Sequence, residues 1–312
     1  MKKIVFMGTP EFAAASLKAL VESGQYEVAA VVTQPDRPKG RGHKLQMSAV
    51  KTYALSKQLP VLQPEKVKDP AFQETMKALA PELIVVAAFG QFLPKTLLEL
   101  PQYGCINVHA SLLPKYRGAA PIHYALLHGE KEAGVTIMQM DTGMDTGDML
   151  SKVVVPVGET MTQGELHDVL KEKGAALLLE TIPGLISGTV QPVPQDPKQA
   201  TYATLLTRDM EKLDWKKGAE ALYNQLRAFD PWPGSFTLLP DGTRLKIWKG
   251  HVVEKQGTAA PGTVLKADNT GFQVACGQNI LEILECQPEG KRRMPAQSFV
   301  NGKHVKTGDV LQ

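Results

Sequence analysis

The chain has little cysteine, and what it has is scattered. Cys105, Cys276 and Cys286 are the only three in 312 residues, too few and too far apart for a disulfide framework. No Cys-x-x-Cys pair or His/Cys cluster marks a zinc site, so reduced thiols in a cytosolic chain are the expectation. No apolar run is long enough to span a bilayer. Met1-Lys2-Lys3 carries the charge of a signal peptide, but the apolar run behind it stops at Gly8-Thr9-Pro10, too soon for one. A cytoplasmic chain without a membrane partner is expected. Strong charge of one sign is missing too. The net charge is +3, too small to prove a nucleic-acid partner, so what matters is where the cations gather. Two nucleotide signatures are also absent. A dinucleotide-binding turn would read Gly-x-Gly-x-x-Gly after the first strand. Pro10 and Glu11 stand there instead, which argues against a nicotinamide cofactor. No Walker A sequence is present, so ATP use through a P-loop is not expected. There is no internal repeat and no low-complexity tract.

What is present is an ordinary globular composition, with 43% hydrophobic and 21% charged residues, long enough for about two domains. Apolar runs over 3–7, 27–33, 82–88 and 104–109 read as strands. Pro10 and the spacing of Phe12, Ala13, Ser16, Leu17 and Leu20 predict a helix after the first. Further helices are expected near 46–58 and 69–80 and after Pro94. Strands separated by helices imply an α/β domain with a mostly parallel sheet covered on both faces. Runs over 135–140 and 149–155 predict an antiparallel return at its edge. A long helix over about 162–186 should follow, broken or bent near Pro183-Gly184. Residues 188–200, rich in Pro and Gln, read as an extended linker. Beyond them a helix near 217–229 precedes short β segments with turns at Asp241-Gly242 and Asp268-Asn269-Thr270-Gly271, which suggests a small barrel. The expected organisation is a first domain over 1–188, a linker over 189–207 and a second domain over 208–312.

Four stretches have the residue types for chemistry. Asn107 and His109 stand two apart on a strand, so they project to one face at its carboxyl end, where open α/β sheets place their sites. An Asn amide can donate to a developing oxyanion, and His can take or give a proton near neutral pH. The same pair also reads as an ordinary strand end with a capping Asn and a surface His. Residues 140–149 hold three carboxylates, Asp141, Asp145 and Asp148, with Gly143 and Gly147. A carboxylate here can orient His109 and pass a proton, or simply cap its own backbone in a hairpin turn. Calcium binding fails on ligand spacing. Residues 34–44 carry four cations, Arg37, Lys39, Arg41 and Lys44, and one carboxylate, Asp36. This Pro/Gly-rich loop is expected to be mobile and unpacked, its cations meeting phosphates or only water. The turn holding Phe89, Gly90 and Gln91 mixes apolar walls with glycine backbone, and reads as a pocket for a flat heterocycle or as a packed turn.

Asn107-Val108-His109, followed by Ser111-Leu112-Leu113-Pro114 and Arg117-Gly118-Ala119-Ala120-Pro121, resembles the signature of the folate-dependent formyltransferases. The 140–149 loop completes it at the expected distance. Phe6-Met7-Gly8-Thr9-Pro10-Glu11-Phe12, Gln34-Pro35-Asp36-Arg37-Pro38 and Phe229-Asp230-Pro231-Trp232-Pro233 are similar to the branch of that family whose acceptor is methionine carried on initiator tRNA. The likeness runs over nearly the whole chain. It implies a Rossmann-like catalytic domain and an OB-fold C-terminal domain. It also implies 10-formyltetrahydrofolate as co-substrate and methionyl-initiator-tRNA as partner, with no metal. By motif position Asn107, His109 and Asp145 are the implied catalytic set, and Ser111, Leu112, Leu113 and Pro114 the folate-contacting segment, with Phe89, Gly90 and Gln91 as further candidates. Arg41 matches the residue that engages the tRNA acceptor end, beside Arg37, Lys39 and Lys44. In Tyr202-Ala203-Thr204-Leu205-Leu206 the chain departs from the family pattern, several members carrying Lys at Leu205 or Leu206.

The implied reaction is direct attack of the acceptor amine on the formyl carbon, with Asn107 and protonated His109 stabilising the oxyanion and Asp145 holding His109 and helping to relay the proton. Cations of the second domain, among them Arg244, Lys246, Lys249 and Lys291-Arg292-Arg293, are candidates for tRNA phosphate contacts. A formyltransferase for a small amine, a ribonucleotide or amino-sugar, would share the site but need neither the basic loop nor the barrel. A non-catalytic RNA-binding protein would need only the barrel. A hydrolase releasing formate would put water in the amine's place.

Overall fold

The structure is a computed structural model that describes residues 1–39, 44–255 and 259–312; residues 40–43 and 256–258, and the side chains of Lys39 and Lys44, lie outside the described residues. Two compact units divide the chain: Met1–Pro121, Glu132–Pro156 and His167–Thr204 form the first, and Ile122–Lys131, Val157–Leu166 and Leu205–Gln312 the second.

In chain order the elements up to the first site strand are β1 (Lys2–Gly8), α1 (Glu11–Glu22), β2 (Tyr26–Val32), β3 (Arg37–Lys39), β4 (Lys44–Gln46), α2 (Ala49–Ser56), β5 (Val61–Leu62), α3 (Pro70–Leu79), β6 (Leu83–Ala87), α4 (Lys95–Leu98) and β7 (Cys105–His109). There follow β8 (Arg117–Gly118), α5 (Pro121–Leu127), β9 (Glu132–Gln139), β10 (Met149–Pro156), α6 (Gln163–Ser187) and β11 (Tyr202–Ala203). The main sheet of the first unit runs β10-β9-β7-β6-β1-β2-β5. Its pairs from β7 to β5 are parallel, while β9 runs antiparallel to β7, and β10 to β9. The expected edge return is therefore present.

β1 needs no polar face, because Ile4, Val5, Phe6 and Met7 are all fully buried, the pattern of a strand covered on both sides. Val5, Met7, Val32, Ile84, Val86 and Cys105 share one cluster with Phe72 and Met76 of α3. Helix α6 buries Leu170, Leu177, Leu178 and Ile182. Cutting one such Leu to Ala costs about 2–5 kcal/mol. The helix stays continuous through Pro183. After β1 the chain builds β2 and β5 on one side and then returns to the other side with β6. The carboxyl ends of β1, β6 and β7 thus open beside this switch in direction, the place where such sheets bind ligands.

The expectation of an unpacked loop over 34–44 is corrected in part, for the described residues 34–39 and 44. β3 and β4 pair antiparallel, Arg37 opposite Gln46 and Pro38 opposite Leu45. The base of this hairpin is pinned: Lys51 Nζ donates to Asp36 and to Gln63 Oε1 (2.7 Å), and Gln63 Nε2 donates to Gln34 O (3.0 Å) and Asp36 Oδ1 (2.9 Å). The segment 188–200 is largely exposed, turns once at Pro197–Gln199, and is fastened at a few points. Val193 forms a two-way backbone bridge with Met149, both bonds 2.9 Å, and β11 lies parallel to β8.

In the second unit, α7 (Ala219–Ala228) precedes β12 (Ser235–Leu238), β13 (Arg244–Val253), β14 (Val264–Asp268), β15 (Gly271–Ala275), β16 (Ile280–Pro288), β17 (Met294–Pro295) and α8 (Ala296–Asn301). The antiparallel sheet runs β12-β13-β16-β15-β14, with β17 on β16. The C-terminal residues join its two edges. Gln312 exchanges backbone bonds with Leu238 (2.8 and 2.9 Å), Val264 N donates to Asp309 O (2.8 Å), and Leu311 N to Gly262 O (2.8 Å). A small antiparallel barrel results, with Leu222, Leu245, Ile247, Val274, Leu281 and Phe299 in its core. Among the described residues no helix is long and apolar enough to cross a membrane.

Candidate active site

Strand β7 alternates inside the sheet, so Cys105 goes into the core cluster while Asn107 and His109, on the same side but nearer the strand's end, reach its open carboxyl edge. The third group arrives from the loop between β9 and β10. Asp145 lies at φ +51°, a left-handed conformation uncommon for a residue other than glycine but tolerated by Asp. Its Oδ1 accepts from Asn107 Nδ2 (3.4 Å), and its Oδ2 accepts from the Gly118 backbone N–H (2.8 Å) and faces His109 Nδ1 at 3.7 Å. The amide, imidazole and carboxylate singled out in the sequence therefore meet.

His109 is buried, and its Nε2 lies 2.9 Å from the Tyr116 carbonyl oxygen. A carbonyl only accepts, so Nε2 carries the proton of that bond. Nδ1 then points at Asp145, and protonating it would place an N–H toward the carboxylate. Gly118, at φ +114°, could not be replaced freely: a Cβ there would lie 2.7 Å from the Ala203 carbonyl oxygen.

The other two carboxylates of the loop separate by role. Asp141 Oδ1 accepts from Gly143 N (2.9 Å) and Thr146 Oγ1 (2.6 Å), capping its own turn. Asp148 lends its carbonyl to Gln139 N (2.8 Å). Among the described residues no group of three or more His, Cys, Asp or Glu side chains could hold a metal ion.

The 111–114 turn that follows β7 is tied to β9. Thr136, fully buried, donates from Oγ1 to Ser111 O (2.7 Å) and accepts from Leu113 N (3.2 Å). Ser111 Oγ donates to Lys115 O (2.7 Å), so this hydroxyl is engaged. Ser111 and Leu113 are buried, while Leu112 and Pro114 are partly exposed. After β6, Phe89 is buried in the core cluster and its carbonyl accepts from Gln34 Nε2 (3.0 Å). Gln91 Oε1 accepts from Val67 N (3.0 Å), which ties that side chain to the connection between β5 and α3. Gly90 is exposed, while the Phe89 ring faces inward. Arg37 extends from the hairpin and pairs at 3.6 Å with Glu65, both largely exposed. Arg41 and the side chains of Lys39 and Lys44 lie outside the described residues.

Two residues the sequence did not single out complete the site. Thr136 anchors the turn as described. Gln195, in the Pro/Gln-rich stretch, accepts from buried Arg117 and donates to the carbonyls of Asp145 (2.8 Å) and Gly147 (2.7 Å). A polar residue at a buried strand position could have marked Thr136. Nothing in the sequence marks Gln195.

Residues 1–182 match the family model described as formyl transferase, and residues 205–304 that of the formyl transferase C-terminal domain. The chain belongs to the formyl transferase family. Its similarity to curated members of that family spans nearly their whole length. It is 53% identical to the methionyl-tRNA formyltransferase of Bacillus subtilis (strain 168) over 312 residues, covering 100% of this chain and 98% of that one. It is 48% identical to the methionyl-tRNA formyltransferase of Clostridium novyi (strain NT), covering 99% and 100%. The formyl transferase fold is also seen in a solved N-formyltransferase from Helicobacter canadensis in complex with folinic acid and dTDP-3-aminofucose (TM-score 0.63, 21% identity, 91% of this chain and 99% of that one). HypX from Aquifex aeolicus in complex with tetrahydrofolic acid shares it at TM-score 0.63 and 15% identity, over 96% of this chain and 47% of that one.

Proposed function

We propose that this formyl transferase moves the formyl group of 10-formyltetrahydrofolate to the α-amino group of methionine esterified to initiator tRNA, in the cytoplasm, at the start of protein synthesis. The observation that carries the chemistry is the convergence of Asn107, His109 and Asp145 within 3.4–3.7 Å at the carboxyl edge of the sheet. The acceptor follows from likeness to the methionyl-tRNA formyltransferases.

Acyl transfer to an amine needs no nucleophile from the protein. A free α-amino group has a pKa of roughly 7.7–8.0, and a neighbouring ester lowers it, so much of the amine is neutral at physiological pH. The thiol on β7 is no competitor, since burial pushes Cys105 up to about 12 and only a thiolate attacks. As the acceptor amine approaches the formyl carbon, charge grows on the formyl oxygen. A second Asn107 amide N–H and a protonated His109 Nδ1, which stands 3.7 Å from Asp145 and is not hydrogen-bonded to it, supply donors to it, and one such donor is typically worth about 2.7–4 kcal/mol of transition-state stabilisation. Asp145 holds Asn107 and His109 in place and gives the amine's proton a path toward the leaving nitrogen. The backbone of the 111–114 turn and of Gly90, with the partly exposed Leu112 and Pro114, would hold the folate. Both segments are fixed by bonds of their own, and they present peptide groups and apolar surface of the kind a flat heterocycle needs.

For the tRNA, β13 supplies a surface. Partly exposed Arg244 and Lys246 alternate with the fully buried Leu245 and Ile247, and Trp248 is itself buried. The Arg244 guanidinium lies 3.7 Å from the Phe236 ring centre, and the Trp248 ring takes the Arg293 guanidinium at 3.4 Å and Lys246 Nζ at 5.2 Å. Burial, with Arg244 and Arg293 nearby, lowers the Lys246 pKa. The buried Trp248 ring holds Lys246 and Arg293 where the exposed parts of these cations suit phosphate contacts. Arg41, by motif position, engages the acceptor end together with Arg37, Lys39 and Lys44. The test is formyl transfer to methionyl-initiator-tRNA, uncharged tRNA, free methionine and an amino-sugar nucleotide. Transfer confined to the first is expected; equal or better use of a small amine would overturn the acceptor.

A further inference from the structure

We propose that Gln195 is a positioning residue for the Asp145 carboxylate, an inference that rests on the formyl-transfer reading. Gln195 is 8% exposed and its partner Arg117 5%. The orientation of its amide is dictated by what surrounds it. A guanidinium only donates, so Oε1 must face Arg117, where it accepts from Nε (3.0 Å) and Nη2 (2.8 Å). The carbonyls of Asp145 and Gly147 only accept, so Nε2 must face them, at 2.8 and 2.7 Å. Both amide hydrogens are spent on the loop that carries the carboxylate.

The contacts close a ring. The Asp145 carboxylate accepts from Gly118 N (2.8 Å), Gly118 follows Arg117 in β8, Arg117 holds Gln195, and Gln195 holds the Asp145 carbonyl. Asp145 is thus gripped at its side chain and at its backbone from a single source. The strut is itself anchored on both sides. Val193 bridges to Met149, while Thr201 accepts from Tyr116 N at Oγ1 (2.9 Å) and from Arg117 N at its carbonyl (2.8 Å). The carboxylate meets Asn107 and His109 at 3.4 and 3.7 Å, at the long edge of useful contact, so a small shift of the loop would uncouple it. A misplacement of about 1 Å can cost roughly 100-fold in rate.

The experiment compares full-length wild type with Gln195→Glu and Gln195→Ala. Glu keeps the shape and pairs with Arg117, but an ionised carboxylate has no N–H for the two carbonyls. Turnover on methionyl-initiator-tRNA, KM for both substrates, the pH profile of kcat, Tm and hydrogen exchange of the peptide spanning 141–148 are measured. We expect kcat to fall at least about tenfold in both variants with KM changed much less, and the pH profile to move. Q195E should lose kcat out of proportion to any fall in Tm, while exchange over 141–148 speeds up in both. The inference is overturned if Q195E turns over within about twofold of wild type. It is also overturned if exchange over 141–148 is unchanged, or if the losses simply follow Tm. Should wild type itself fail to formylate methionyl-tRNA, the functional reading falls, and the exchange measurement, which needs no substrate, still decides the role of Gln195.

Discussion

At the scale of single residues, the site is a matter of three polar side chains and the backbone that aims them. Asp145 tests their interdependence. Asparagine tolerates the left-handed conformation that position 145 requires, and its oxygen can still accept from Gly118 N, so Asp145→Asn should fold. It removes the charge beside His109 Nδ1 and the path for the proton. We expect kcat to fall by roughly 100-fold or more with Tm nearly unchanged, measured by steady-state turnover and thermal unfolding. Activity close to wild type would mean that the carboxylate takes no part. The pairing of Asn107 with His109 was legible in the sequence, because strand periodicity alone puts residues two apart on one face. Choosing Asp145 among three acidic residues was not. It followed from motif position, and the competing turn-cap reading turned out to describe its neighbour Asp141.

At the scale of elements, the basic hairpin and the barrel row make separate predictions. The Asp36 carboxylate is held below the usual range by its hydrogen bonds from Lys51 and then Gln63. A lowered native pKa means that the pair stabilises the fold above the unfolded value of about 3.9, and that this contribution disappears as pH falls through the lower native value. Asp36→Asn should therefore be less stable than wild type at neutral pH, with the gap closing in acid; thermal unfolding from neutral pH down into the acid range checks it. On β13, the double change Lys246→Ala and Arg293→Ala should weaken tRNA binding and flatten its salt dependence by a slope of about 1–2. An unchanged slope would remove this face from the interface. The buried strands were legible because unbroken apolar runs have few alternatives. The β3–β4 hairpin was not, because Pro38 and the glycines erase the alternation that marks a strand. Residues 188–200 read as an extended linker by composition, and most of them are exposed, yet one backbone bridge and the buried amide of Gln195 fasten them. Periodicity reports neither.

At the scale of the whole molecule, an α/β unit and a barrel each have a core of their own, and the barrel is closed by the last residues of the chain. Nothing in the short final segment signals that closure, since the partners of Gln312 lie more than 70 positions earlier. The three thiols report on the integrity of both cores. All are buried, and burial pushes Cys105 and Cys286 up to about 12 and Cys276 to about 11. A thiol reagent at neutral pH should leave them unmodified in the folded protein and label all three in denaturant; rapid labelling of any of them in the native state would show that its core opens. The most direct test of the account is the turnover of Asn107→Ala and His109→Ala with 10-formyltetrahydrofolate and methionyl-initiator-tRNA. The prediction is a fall of about 100-fold or more in each, with folate affinity little changed. Near-normal turnover in both variants would contradict it.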